Sequence, residues 1–535
     1  MPRYPSQELI HGIARECHDQ FNRLPKHGKP SRKSNGQAEW TILAGIVLAT
    51  PTAPALSKIS DINGGTCLDN TDEPDESWEV ECISLATGSR CLPQGKLSPR
   101  GDLVNDCHAE VLARRGFNKW CLSEMQACIS YPENMANRFR YLGNQDTPLN
   151  KGPLFQLADP RTQFHLYVSQ APCGDATTSS LAQTQTEESR NAFMNGQQAR
   201  VKTQQAQAPP AGIEDRQGHD QGAQSLRTKR PLDSTEIEAI DLSSPPPPKQ
   251  TKLDMPSVGS TQSQQTCHHA LGFRRGRIDY DSVGVLRTKP GRVDSEPTAS
   301  MSCSDKIARW NVLGLTSALV APFLGSIYLQ SVIARELFDA TALDRALNER
   351  IKSCECTAGP AVSDPDSGSY HFHRVQVYQS PASFEFGKEA VSARSEKEGI
   401  TVPPVACSTS ISWIASEPST AEVLVNGCKA GASAKQPLQP KSRSRVCKIN
   451  MFKSSADLWN CLPESASRRM EKRDLVCSMR VSLKADSISY GEWKTLAKDH
   501  VASKERLFSN IFRHWIRSDK SLELFNINGN SLIKP

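Results

Sequence analysis

From Thr177 to His268 the chain is rich in Gln, Ser, Thr and Pro, contains the run "SSPPPPKQTK", and has few aromatic residues and no sustained apolar period. A segment of that composition cannot bury enough apolar surface to offset the entropy of ordering it, so it is expected to be disordered. Whatever folds must be assembled from the segments on either side. In both, apolar runs of strand character alternate with helical periodicity. That pattern points to an α/β fold, a sheet with helices packed on it, and makes the tract 177–268 an insertion within one domain rather than a linker between two.

The flanking segments can be read piece by piece. Residues 7–25 predict an amphipathic helix with Leu9, Ile10, Ile13, Ala14, Cys17 and Phe21 on one face. The basic loop "RLPKHGKPSRKSNG" follows, so residues 1–40 read as a helix and loop packed on the domain that begins at 41. "EWTILAGIVLAT", "SWEVECISLATG" and "FHLYVS" predict buried strands. From Asn311 to Ala334 there is no charge, a length sufficient to span a bilayer. Pro322, Gly325 and scattered Ser and Thr interrupt it, so a helix, a turn and a second buried element are expected, with no membrane span. Stretches 354–370 and 386–400 read as surface loops, and 485–517 as one long helical stretch.

With 535 residues the chain has room for about two to four domains. A net charge of +6 is too small to identify a nucleic-acid partner, so any basic surface must be local. The 17 cysteines are odd in number and repeat no paired spacing, and "MPRYPSQELIHG" lacks the apolar core of a signal peptide. Free thiols in a reducing compartment are expected, nucleus or cytoplasm rather than secretion, with a few cysteines as metal ligands. "KRPL" and "PPPPKQTK" have the form of nuclear import signals, a form that also arises by chance.

The chemistry begins at "SQAPCGDATTSS". Pro172-Cys173 is half of a P-C-x-x-C zinc signature, but Ala176 stands where the second Cys belongs. In "NDCHAEVLARRGFNKW", Asn105 or Asp106 can cap a helix whose buried face is Ala109, Leu112, Ala113, Gly116 and Trp120. His108 and Glu110 then fall in its first turn. An imidazole is a good zinc ligand, and a carboxylate beside the metal can take a proton from water and pass it to a leaving amine. A third ligand is available at Cys303 in "MSCSDKIARWNVLGL", where Ser304 or Asp305 can cap another helix. Spacing alone does not single out Cys303 from the other fifteen cysteines that remain beside Cys173.

"NDCHAEVLARR", "APCGDA" and "LRTKPGRVDSEPTASMSCSDKIARWNVLGL" closely resemble the adenosine-to-inosine RNA deaminases, across nearly the whole chain outside the insertion. The resemblance implies a single large zinc-dependent deaminase domain over 41–535, a central mixed sheet flanked by helices. It implies one Zn2+ on His108, Cys173 and Cys303, with Glu110 as proton shuttle, acting on C6 of an extruded adenine. Only about 40 residues precede the first core strand, and "RLPKHGKPSRKSNGQAEWTILAGIV" is similar to the start of the branch that modifies tRNA. The expected reaction is therefore hydrolysis of adenosine to inosine in tRNA, 3′ of the anticodon in alanine tRNA. An anticodon loop presents unstacked bases and lowers the cost of extrusion. Ser89 and Arg90, in "ATGSRCL", match the family's loop near the target nucleotide, and equally suit an ordinary turn. No obligatory protein partner is implied. A double-stranded-RNA deaminase and an inactive RNA-binding protein on the same fold are the competing readings. A cytidine deaminase is disfavoured by the absent P-C-x-x-C.

Cations beside the uncharged run require anionic partners, because a buried unpaired charge is costly. The resemblance supplies one, a buried structural inositol hexakisphosphate. Its implied ligands are Asn105, Arg114, Arg115, Lys306, Arg309, Trp310, Lys448, Lys494, Lys498, Lys504 and Trp515. The family has a Lys where this chain has Ser518, with Arg517 and Lys520 as the candidate replacements.

Overall fold

The strand Leu43–Pro51 is apolar almost throughout because both of its faces are covered. Ala44, Ile46 and Leu48 join one hydrophobic cluster, while Leu43, Val47 and Ala49 join another on the opposite side. This is the two-residue alternation of a strand, with both outcomes buried. The computed structural model describes residues 5–52, 77–143, 153–183, 273–276, 280, 282–289, 296–356, 370–433, 437–464 and 488–532.

Among these residues the principal sheet has eight strands. Their order is Gln376–Gln379, Ser331–Glu336, Gln163–Gln170, Leu43–Pro51, Trp78–Thr87, Ser410–Ile414, Ala421–Val425 and Cys428–Lys429. The first three run parallel to one another and the remaining neighbours pair antiparallel, so the sheet is mixed, as expected.

Helices cover both faces. The helix Gln7–Arg23 starts where Ser6 accepts from the Leu9 N–H, and the six residues of its expected apolar face are all buried. It packs with Leu43, Val47 and Tyr167 in one cluster. The helix Ala109–Ser130 lies in the other cluster, with Leu112, Phe117 and Trp120 buried beside Ile46, Ile83 and Leu166. Gly116 permits its close approach, since a Cβ there would collide with Ser84 Oγ.

Several expectations change. Thr177–Gln183 belongs to the helix Asp175–Gln183, with Thr177 and Thr178 buried, so order extends past the compositional boundary. Asp175 in its first turn, fixed by contacts from elsewhere in the chain, outweighs the weak local propensity. Residues 184–268 of the insertion lie outside the described residues, as do 357–369. The stretch 386–400 contains the helix Lys388–Lys397 rather than only loops. The block 485–517 is broken into Tyr490–Lys494 and Lys498–Ser509, and Tyr490 starts with a complete Ser489–Glu492 capping box. The uncharged run supplies the end of the helix Cys303–Leu313, buried turns and the strand Ser331–Glu336. Among the described residues, no helix is long and apolar enough to cross a membrane.

Candidate metal centre and active site

Three chain segments converge beyond the carboxyl end of the strand Gln163–Gln170, the usual side for ligands in open α/β sheets. The first is the short strand Asp106–His108, paired antiparallel with Ser89–Cys91 so that Ser89 faces His108. His108 itself occupies the N-cap position of the helix Ala109–Ser130, and no side chain caps it. Neither Asn105 nor Asp106 therefore plays the expected capping role; Asp106 Oδ1 instead accepts from the His108 N–H at 3.1 Å.

The second segment is Cys173-Gly174-Asp175. Gly174 has φ +109°, and a Cβ there would collide with Ser302 Oγ. This close approach brings in the third segment, the start of the helix Cys303–Leu313. Its cap is Ser302, which accepts from the Asp305 N–H at 3.2 Å, rather than Ser304 or Asp305. The Ser304 N–H donates to the Cys173 carbonyl at 3.0 Å, locking the two segments together.

These constraints place Cys173 Sγ 3.8 Å and Cys303 Sγ 3.6 Å from His108 Nδ1. All three ligand atoms lie within 4.8 Å of one another. A tetrahedral zinc with Zn–S of about 2.3 Å and Zn–N of about 2.0–2.1 Å separates sulfur from nitrogen by roughly 3.6 Å. The donor set, one imidazole and two thiols, is also zinc-like, and the group can hold a metal ion. The hydrogen bond from Cys303 and the charges of Lys289 and His108 hold the Cys173 thiol below its usual range.

Glu110 is buried beside this group, and its Oε2 has no hydrogen-bond partner among the described residues. Burial pushes its carboxyl above the usual range, while the neighbouring His108 pulls it down. A carboxyl shifted upward, with one oxygen unpaired among the described residues, is suited to accepting and returning protons.

The expected cation set divides. Lys306 turns to the metal side, where it pairs with Asp106 and donates to Ser300 Oγ at 2.7 Å. Lys289, which the sequence reading passed over, donates to Asp106 Oδ2 at 2.8 Å and to Cys303 Sγ at 3.1 Å. Burial works to raise the Asp106 carboxyl, but Lys289 and Lys306 hold it well below the usual range. Lys289 is held well above the usual range by Asp106 and the cysteines, against the effect of burial. Lys289 is visible in "LRTK", but its partner Asp106 is 183 residues away and no local pattern links the two.

Arg114, Arg115, Arg309, Lys448, Lys494 and Lys504 form the other group. Arg114 is driven well below its ordinary value by burial and by Arg309 and Arg115. Burial lowers Arg309 to about 10. Lys448 and Lys504 each fall to about 8, through burial first and then Lys494 with other cations. Arg114 stacks over Trp310 at 5.1 Å and Arg309 over Trp515 at 4.9 Å. Arg114 Nε and Trp310 Nε1 are buried with no hydrogen-bond partner among the described residues. Among the described residues, Glu523 pairs with Lys494 within this group, and Glu505 also faces Lys504. Unsatisfied buried donors and mutually depressed cations fit a polyanion. Tyr490, His500 and Glu523 also face the group and were not foreseen; Lys494 lies 5.2 Å over the Tyr490 ring. No periodic signal marks them.

Arg517 and Lys504 lie over the same Phe508 ring, at 5.3 and 5.4 Å. Asn105 offers its carbonyl to the Leu92 N–H, and Lys498 is exposed in the first turn of its helix. Arg517 is exposed and pairs with Glu505 at 2.8 Å, and Lys520 is exposed at the start of a 3-10 turn. Arg90 is exposed and donates to the carbonyls of Ala406 and Cys407 at 3.3 and 3.4 Å.

The model of the adenosine-deaminase (editase) domain matches residues 84–519. The chain is 29% identical over 549 residues to tRNA-specific adenosine deaminase 1 of Mus musculus, covering 96% of this chain and 99% of that protein. It is 26% identical over 509 residues to the protein of the same name in Schizosaccharomyces pombe, covering 94% of each. Similarity to the double-stranded RNA-specific adenosine deaminase of Mus musculus is 27% over 436 residues, covering 81% of this chain and 27% of that protein.

Proposed function

The chain belongs to the adenosine-deaminase (editase) domain family, and from that premise we propose that it deaminates adenosine to inosine in tRNA, 3′ of the anticodon in an alanine tRNA. The observation that carries the chemistry is the convergence of His108 Nδ1, Cys173 Sγ and Cys303 Sγ beside Glu110, whose Oε2 is unpaired among the described residues. The choice of tRNA rests on relatives of that name aligned over nearly their full length.

In this reading His108, Cys173 and Cys303 hold one zinc, which supplies an activated water when bound. Glu110 takes the proton from the attacking water at Oε2 and later delivers it to the departing ammonia. Its burial keeps the returned proton out of bulk solvent. Gly174 and Ser302 hold the two cysteine-bearing segments together, and Lys289 offsets thiolate charge from behind. Ser89, opposite His108 in the short ladder, and Arg90 beside it line the approach for the target nucleotide.

Arg114, Arg115, Arg309, Trp310, Lys448, Lys494, Lys504 and Trp515 would hold the inositol hexakisphosphate, whose phosphates supply the negative charge that the cluster lacks. Residues 41–535 form the deaminase domain in this scheme, with 1–40 packed on it and an insertion ending near 268.

Incubation with total tRNA, followed by mapping of inosine by sequencing and assay of bound zinc, tests the proposal. Inosine 3′ of the alanine anticodon is the expected product. Inosine only in long duplex RNA would replace the tRNA reading with the double-stranded-RNA one.

A further inference from the structure

Two residues after each candidate cysteine ligand stands a fully buried aspartate, Asp175 after Cys173 and Asp305 after Cys303. Each lies in the first turn of its helix. Each is met by an arginine, and both arginines come from one short stretch elsewhere in the chain. Arg345, in the helix Ala340–Leu347, donates from Nε to Asp175 Oδ2 at 3.2 Å and from Nη2 to the Asp175 carbonyl at 3.1 Å. Arg350, in the following 3-10 segment Glu349–Cys356, donates to Asp305 Oδ1 at 2.6 Å.

The other carboxylate oxygens are also committed. Asp175 Oδ1 accepts from the Gly284 N–H at 2.7 Å. Asp305 Oδ2 accepts from the Arg287 N–H at 2.9 Å and from Ser302 Oγ at 2.7 Å. The stretch is itself anchored to the second helix, because Asn311 Nδ2 donates to the Leu347 carbonyl at 3.0 Å.

We propose that the segment 340–351 is a bracket that positions the metal site, with Arg345 and Arg350 setting the separation of Cys173 and Cys303 through Asp175 and Asp305. This rests on the reading that His108, Cys173 and Cys303 hold the metal. The physical basis is that removing the cation leaves each buried carboxylate with an uncompensated charge, which favours its displacement. Each aspartate is rigidly linked to its cysteine within one turn of backbone. Fixing both aspartates from one element therefore adds a second constraint on the distance between the two sulfurs, beside the direct bond from the Ser304 N–H to the Cys173 carbonyl. Arg345 and Arg350 are positioning residues, remote from any reacting atom.

The test measures the rate of zinc transfer from the full-length protein to a colorimetric chelator, with inosine formation in parallel. Arg345→Met and Arg350→Met are each expected to speed zinc release by about 10- to 100-fold, the usual effect of losing a group that orients a metal ligand. Arg345→Lys and Arg350→Lys are expected to recover part of that loss. Asp175→Asn and Asp305→Asn keep side-chain shape, remove the charge, and are expected to act in the same direction should a methionine variant fail to fold. Leu343→Ala is the control: it weakens the same helix without touching either aspartate. Equal acceleration in Leu343→Ala at matched thermal midpoint would overturn the proposal, as would wild-type release rates in the folded arginine and asparagine variants. Cys303→Ala, run alongside, separates the two readings. Stoichiometric zinc retained there removes the ligand assignment and the bracket with it; zinc lost there, with wild-type rates in the other variants, removes the bracket alone.

Discussion

The backbone N–H of Cys303 donates to Cys173 Sγ at 3.4 Å across 130 residues of sequence. That bond, together with the Ser304 N–H on the Cys173 carbonyl, brings both sulfurs to the same His108 nitrogen. The Ala176 that leaves P-C-x-x-C incomplete is buried in the helix Asp175–Gln183, where a cysteine is not required.

Glu110→Gln removes the proton-carrying carboxyl and keeps its shape. Deamination is expected to fall by about 100- to 10,000-fold, the range for losing a general acid–base group. Zinc content is expected to stay stoichiometric, and the thermal midpoint to hold or rise, because the replaced carboxyl is buried with Oε2 unpaired. Inosine assay, metal analysis and a melting curve on one preparation check all three.

Gly174→Ala acts where φ is +109° and where a Cβ would collide with Ser302 Oγ. Strain of about 1–3 kcal/mol is expected at such a position. The two cysteine segments must part to relieve it. The expected result is a protein that folds yet binds zinc at least about tenfold more weakly. Titration against a chelator of known affinity measures this.

Lys289→Met leaves Asp106 buried with only one of its two lysine partners. A loss of about 3 kcal/mol in urea unfolding is expected, the low end for breaking a buried pair, since Lys306 and Ser300 still contact the carboxylate. An unchanged midpoint would show that Lys306 suffices.

The polyanion cluster gives a pH dependence. Lys448 and Lys504 sit at about 8, below the ordinary 10.5, when no anion is bound. Between those values the unfolded chain holds protons that the folded chain lacks, so anion-free protein gains stability as pH rises from 8 towards 10.5. Binding of inositol hexakisphosphate runs oppositely, strong below pH 8 and weaker above it, by up to about tenfold per pH unit for each lysine. Calorimetric titration at pH 7, 8 and 9 reads the slope, and a flat profile would remove the two lysines from the site.

The sequence by itself determined the elements whose signals are local. The six-residue apolar face of the helix Gln7–Arg23, the doubly buried strand Leu43–Pro51 and the buried face of the long helix all follow from periodicity and residue type, whereas its start at His108 rather than at Asn105 or Asp106 does not. Resemblance, not spacing, nominated Cys303. Tertiary structure alone decided which cations meet. Lys306 and Arg309 are three residues apart, yet Lys306 pairs with Asp106 while Arg309 stacks on Trp515. Tertiary structure also broke the last helical block and extended order from Thr177 to Gln183. The reason is common to all of these. Helical and strand periodicity express contacts a few residues apart, whereas the pairing of Asp106 with Lys289, or of Asp175 with Arg345, is fixed by sheet order and by buried charge that must find its counter-charge.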